Sequence, residues 1–335
     1  MISALTQQRL EEYRADLFRS RAGRRVTHRE EAVEWVKERG FLFFWPIRDV
    51  CLPSLWVAVA GDRLVAEEHD DPGHVTWGWK DGLLGERVWY YAKVLRRKST
   101  LISLEVAPLF YALSENYGVP DEDYLQAYEQ GTLSHEARAV YESLLREGPL
   151  DSVKLREVSR LGGKGSAYRF DRALLELQSG FWVLPTGVAQ AGAWRYAFIF
   201  DIVARHYPAL PDQARVIPRR EARRRLAELY LRSVGAARNK DARKLFGWPA
   251  QDVETALSDL AEAGSLVRGV ALEGQPGEWG VVPELLDGGE AWGPTPSSDP
   301  RSVSAADRIH GDPPATASGA PVSLTHPQRD LGPDP

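Results

Sequence analysis

An acid and an ammonium stand next to each other at Asp81 and Lys80, beside two indoles, in the run Trp77-Gly78-Trp79-Lys80-Asp81. Flat apolar faces such as Trp77 and Trp79 can stack a base turned out of a duplex. An acid kept ionised by a neighbouring lysine can orient a water or face a developing cation. The plainer reading of the same residues is an aromatic core with a snorkelling lysine. Other runs suit phosphate. Gly162-Gly163-Lys164-Gly165 offers free backbone amides at a helix start, and Lys164, Arg169 and Arg172 add cations on the outward positions that follow. This run is no P-loop, because Val158 stands where that pattern needs a glycine. Lys93, Arg96, Arg97 and Lys98, with Arg87, are interleaved with Trp89, Tyr90 and Tyr91, a mixture that can grip backbone and stack unpaired bases. Between residues 219 and 244, ten basic residues, Arg220 and Arg224 among them, face three acids. Such a run serves phosphate or an internal acidic face equally well. His69-Asp70-Asp71 with His74 has the right atoms for a metal but a loose spacing around Pro72-Gly73, so no metal is expected.

The elements that must position these residues come from a pattern that occurs three times. A small or apolar pair, an apolar residue three further on, a glycine and another apolar residue appear at Ala32-Val33, Val36, Gly40, Phe43. They return at Ala173-Leu174, Leu177, Gly180, Val183, and at Ala256-Leu257, Leu260, Gly264, Val267. Helical spacing that halts at a glycine and resumes as a strand describes the third helix of a winged-helix module entering its wing. The fold expected is mostly α (α+β), with tandem winged-helix modules, short β-wings and a disordered C-terminal tail.

The modules are placed at 1–60, 120–215 and 219–286, with an insertion and helical hairpin over 61–119 and a Pro-rich tail over 287–335. Thr27 and Glu30 suggest a capping box for a helix ending at Arg39. In the second module helices are expected at His135–Arg146, Leu150–Arg160 and Ser166–Gln178, and in the third at Arg220–Val234, Lys240–Phe246 and Gln251–Ala263. The third helix of the last module is acidic, with Asp252, Glu254, Asp259 and Glu262, and would repel phosphate. Nine of the 22 prolines fall after Asp287, a composition that cannot build a core.

Bulk composition narrows the function classes. Apolar residues make up 43% of the 335 residues and charged ones 27%, which fits a globular protein of several small modules. A net charge of −5 gives no global pull toward DNA, so any affinity must be local. The single cysteine, Cys51, excludes a disulfide framework and a multi-thiolate zinc site. No run of eighteen apolar residues exists and Met1–Phe18 is polar, so a cytoplasmic protein without membrane contact is expected.

Phe198-Ile199-Phe200-Asp201-Ile202-Val203-Ala204-Arg205 and the segment Glu228–Val267 resemble the AlkZ/YcaQ family of bacterial winged-helix DNA glycosylases. Val88–Leu113, with Trp89-Tyr90-Tyr91, is similar to that family's middle region, and the resemblance spans about residues 25–285. It implies tandem winged helices that excise alkylated, including crosslinked, bases. The family's Gln-x-Gln or Gln-x-Asp signature would fall, counting from Gly40, at Phe43 and Trp45, and neither can activate a water. The sequence therefore reads as a divergent member that binds duplex or damaged DNA as a monomer, without cofactor. If excision persists, the resemblance calls for a replacement carboxylate, and Asp81 is preferred over Asp49. Two other classes share the modules: a transcription regulator dimerising on a palindrome, and a protein-interaction scaffold.

Overall fold

Side-chain chemistry sets the first helix starts of the computed structural model, which describes residues 5–65, 71–163, 165–193 and 195–286. Helix α1 (Gln7–Leu17) opens at Thr6, whose hydroxyl accepts from the Arg9 amide at 3.3 Å. Helix α2 (Arg29–Arg39) opens one residue later than the expected capping box. His28 Nδ1 accepts from the Glu31 amide at 3.2 Å, and it is Glu31, not Glu30, that reaches back to the Thr27 amide at 3.0 Å. Gly40 ends α2 at φ +80°, a conformation open to a residue without Cβ.

One order of elements then recurs three times. The first repeat runs α2, β1 (Phe41–Phe43), α3 (Leu55–Ala60), α4 (Val75–Leu83), β2 (Tyr90–Lys93) and β3 (Ser99–Ile102). Short helices α5 (Ala107–Tyr111) and α6 (Asp123–Glu129) lead to the second: α7 (His135–Glu147), β4 (Leu150–Asp151), α8 (Ser152–Val158), α9 (Ala167–Ser179), β5 (Val183–Ala189) and β6 (Ala197–Ile202). After α10 (Val203–His206) and α11 (Leu210–Arg215) comes the third: α12 (Arg219–Val234), β7 (Ala236–Ala237), α13 (Asn239–Phe246), α14 (Ala250–Glu262), β8 (Val267–Leu272) and β9 (Gln275–Val281). In each repeat the three strands form an antiparallel sheet in the order first, third, second. The architecture is thus α+β, helices with small antiparallel sheets.

Three expectations are corrected. The Ala32-to-Phe43 pattern is not a third helix entering a wing: it is the first helix, α2, entering the first strand, β1. The glycine-punctuated junction is the same in both places, so short periodicity could not separate them. The boundary after residue 60 cuts a sheet, because β1 pairs with β3 through Phe41 and Ile102. The helical hairpin over Val88–Tyr117 is instead a β-hairpin followed by the short α5. Tyr90-Tyr91 and Thr100-Leu101-Ile102 are bulky, β-favouring residues buried on both faces of the β2–β3 pair, which cross-strand packing prefers to a helix. Residues 287–335 lie outside the described residues.

The cores follow the repeats. Trp35, Val36, Leu42, Phe44, Leu55 and Leu101 are fully buried in the first, and Val140, Leu144, Leu155, Leu177 and Val183 in the second. The third closes over Leu226, Tyr230, Leu260 and Val281. Burial of this kind contributes roughly 1.5–3 kcal/mol per large side chain before entropy is subtracted.

Candidate functional site

Helix α4 presents Thr76, Lys80 and Leu83 inward, at spacings of four and three, so a lysine occupies the middle of an apolar stripe. Its side chain is 1% exposed. The ammonium lies 4.5 Å from the Trp77 ring centroid, 4.6 Å from Phe198, 5.4 Å from Tyr91 and 5.5 Å from Phe44. The negative faces of these rings partly replace the water the charge has lost. Asp81 completes the balance at 2.8 Å from the ammonium, its side chain 19% exposed. The Tyr196 hydroxyl donates to both Asp81 oxygens, at 3.0 and 3.1 Å, and accepts from Lys80 at 3.4 Å. Burial and the nearby Asp81 carboxylate push the Tyr196 phenol far above its ordinary range, so it remains a donor. Tyr196 and Phe198 lead into and sit on β6, so this cluster ties the first repeat to the second.

The chemistry open to the cluster is limited. A sealed ammonium cannot reach a solute, and the carboxylate already accepts from two groups, leaving one partly exposed edge. Trp77 meets Phe44 at 5.8 Å and Trp45 at 5.6 Å, while Trp79 is half-buried against the same core. Phe43 is fully buried in β1 and pairs with Thr100. Trp45 packs on Trp56 at 5.0 Å and edge-on to Phe44 at 4.9 Å. Asp49 sits on an exposed loop.

The remaining candidates are spread over several elements. Arg169 on α9 is exposed yet bonded to Glu136 of α7 at 2.8 Å, and Arg172 is exposed on the same helix. Lys164 lies outside the described residues. Arg220 forms a fork to Asp259 at 2.8 and 2.6 Å, Arg223 meets Asp252 at 2.9 Å, and Arg224 reaches Glu221 at 2.8 Å and Glu228 at 3.3 Å. The basic run of α12 and the acidic face of α14 thus neutralise each other along a seam. Arg96, Arg97 and Lys98 lie exposed at the β2–β3 turn, while Lys93 is half-buried and its amide donates to Gln178 of α9 at 3.2 Å. Lys93 and Lys98 are both engaged within the protein.

Of the metal candidates, His69 and Asp70 lie outside the described residues. Asp71 caps the following turn, accepting from the Gly73 amide at 2.7 Å and from Arg63 at 2.6 Å, and His74 packs on Trp56. Among the described residues no group of three or more His, Cys, Asp or Glu side chains could hold an ion. Cys51 is a half-buried free thiol, and burial pushes it above its ordinary range. The cage partners Tyr196 and Phe198 were not legible as site residues. Their only signal is the alternation Tyr196, Phe198, Phe200, which marks one face of a strand without saying what that face meets.

Comparison with known proteins places this geometry. The AlkZ-related family model matches residues 26–247, and the chain belongs to that family. No curated protein matches it. Among solved structures the Streptomyces sahachiroi DNA glycosylase AlkZ is similar, with a TM-score of 0.52 and 14% identity over 84% of this chain and 71% of that one. At that identity the likeness is one of fold. No helix among the described residues is long and apolar enough to cross a membrane.

Proposed function

We propose that this member of the AlkZ-related family binds duplex or distorted DNA through winged-helix modules and does not itself excise a base. Three lines support the reading. The repeated order of helix, strand, two helices and two strands, with first-third-second sheets, at residues 29–102, 135–202 and 219–281, is the order expected of a winged helix. The family is related to the DNA glycosylases of crosslink repair, and the fold resembles one of them. Exposed cations on all three repeats offer charge suited to phosphate.

The observation that carries the absence of excision is the pair Phe43 and Trp45. Cleaving a glycosidic bond needs a polar group to hold water near the anomeric carbon and a stabiliser for cationic charge. At the two positions to which the resemblance assigns the family signature, one side chain is buried in a sheet and the other stacks among indoles. The preferred replacement carboxylate, Asp81, is held by Lys80 and Tyr196.

Labelled duplex DNA bearing an alkylated base tests both halves. Retardation that weakens steeply with salt, with no base released, is the expected result. Release of free base, abolished in Asp81→Asn with binding intact, would instead make the chain an active glycosylase with a replacement carboxylate. Absence of retardation on any DNA at low salt would remove the DNA reading.

A further inference from the structure

Two elements from different repeats build one cationic surface. The β2–β3 turn carries Arg96 and Arg97, both exposed, and packs against α13 of the third repeat. Leu95 of that turn and Ala242 and Leu245 of α13 are buried, which leaves the polar sides of both elements outward. On α13 the exposed residues Lys240, Arg243 and Lys244 stand three and four apart, so they share one face. The acid of that helix, Asp241, is taken by Arg238 at 2.9 Å. Among the described residues none of these five cations forms an ion pair. Arg169, Arg220, Arg223, Arg224 and Arg268 all do. In a chain of net charge −5, five unpaired cations on adjoining elements run against the average.

The turn supplies an independent observation. The Lys98 amide donates to the Leu95 carbonyl at 2.9 Å, closing a tight turn whose two central residues are Arg96 at φ 54° and Arg97 at φ 57°. Consecutive left-handed positions suit Asn-Gly, whereas a residue with Cβ holds that conformation at a cost. Costly backbone outliers gather where a side chain has to be presented. Here the strained pair presents two guanidiniums beside the basic face of α13.

We infer that Arg96, Arg97, Lys240, Arg243 and Lys244 form the main phosphate-contacting surface for double-stranded DNA, shared between the first and third repeats. The inference rests on the DNA-binding reading and names its surface. The contacts assigned here are to backbone phosphates, which fix the position of a duplex without reading its sequence. It also sets aside Arg169 of α9 as a main contact, because that side chain is occupied by Glu136.

Fluorescence anisotropy with a labelled duplex across a series of salt concentrations tests the assignment. Arg96→Asn/Arg97→Gly removes two charges while giving the turn residues it prefers, so misfolding cannot explain a loss. Lys240→Gln/Arg243→Gln/Lys244→Gln keeps good helix formers on α13. The logarithm of the binding constant should depend less steeply on the logarithm of salt, by about 1.8 for the turn pair and about 2.7 for the triple. Those slopes correspond to roughly 60-fold and 500-fold weaker binding at 0.1 M salt, if each cation neutralises one phosphate. Arg215→Ala on α11, a cation already paired with Asp212 at 2.8 Å, is the control and should change binding less than twofold. Wild-type binding with a steep slope that both multiple variants retain would overturn this surface and leave the DNA reading standing. If the wild type binds no duplex, or prefers RNA or an acidic protein surface, the DNA reading falls as well.

Discussion

Lys80→Met isolates the buried charge cluster, because methionine keeps the length and apolar stem while removing the ammonium. The Asp81 carboxylate would keep its hydrogen bond from Tyr196 but lose the cation at 2.8 Å, inside a wall of four aromatic rings. Removing one partner of a buried pair typically costs about 3–5 kcal/mol, since the other charge is left uncompensated. Asp81 keeps 19% of its side-chain surface in water, which places the expected loss near the lower end, about 3 kcal/mol. For a chain of 335 residues that lowers the midpoint of thermal unfolding by about 4–5 °C. Near-ultraviolet circular dichroism, which reads packed aromatic rings, is the assay of choice. Lys80→Met/Asp81→Asn removes both charges and should recover most of the loss, because an apolar or neutral replacement of a whole pair is often harmless. A single variant within about 1 kcal/mol of the wild type, or a double variant no better than the single, would refute the claim that the pair is desolvated and mutually dependent.

Three further outcomes follow from other sites. His206 is buried and its pKa is lowered from 6.5 to about 4, first by desolvation and then by Arg87, so the native state holds it neutral. The unfolded chain binds that proton first, so stability present above pH 6.5 drains away toward pH 4. In denaturant titrations, the advantage of the wild type over His206→Phe should shrink by about 2–3 kcal/mol between pH 7 and pH 4.5. Gly235 sits at φ +75°, and a Cβ there would lie 2.6 Å from Leu285 and 2.7 Å from Tyr13, so Gly235→Ala should lose about 2 kcal/mol or more in urea unfolding. Asp259→Ala frees Arg220 at a largely exposed position, so stability should change by less than about 1 kcal/mol while DNA affinity rises. An unchanged or lower affinity would show that α12 faces away from the bound duplex.

Helix existence was well marked in the sequence where the apolar stripe was long. α7, α9, α12, α13 and α14 begin and end within about two residues of the spans set by periodicity and glycine. The first repeat was misread because its helices are short or interrupted. α3 has six residues, α4 contains Gly78 and Gly82, and the glycine junction after α2 mimics the one after a third helix. The β2–β3 hairpin was missed because Trp89, Tyr90 and Tyr91 are buried in succession, which erases the alternation that announces a strand. Lys80 and Asp81 stood out by type, yet their shared hydrogen-bond partner Tyr196 lies more than a hundred positions away, just before β6, and no local pattern encodes such a meeting. Charge runs were legible as charge only. Tertiary pairing with the acids of α14 engaged Arg220 and Arg223, Arg224 found Glu221 and Glu228 on its own helix, and Lys240, Arg243 and Lys244 stayed free of ion pairs among the described residues.

The lone thiol has a use that its chemistry alone would not suggest. Cys51 lies within electrostatic reach of Arg14 on α1, Tyr230 on α12 and Asp241 on α13, at a junction between the N-terminal helix, the first repeat and the third. Half-buried and with its thiol pushed up, it alkylates slowly while that junction stays closed. Its labelling rate is therefore a clock for transient opening of the joint, in a molecule with no second cysteine to blur the reading. A duplex clamped across the β2–β3 turn and α13 would slow that clock, reporting on inter-repeat breathing without any engineered probe.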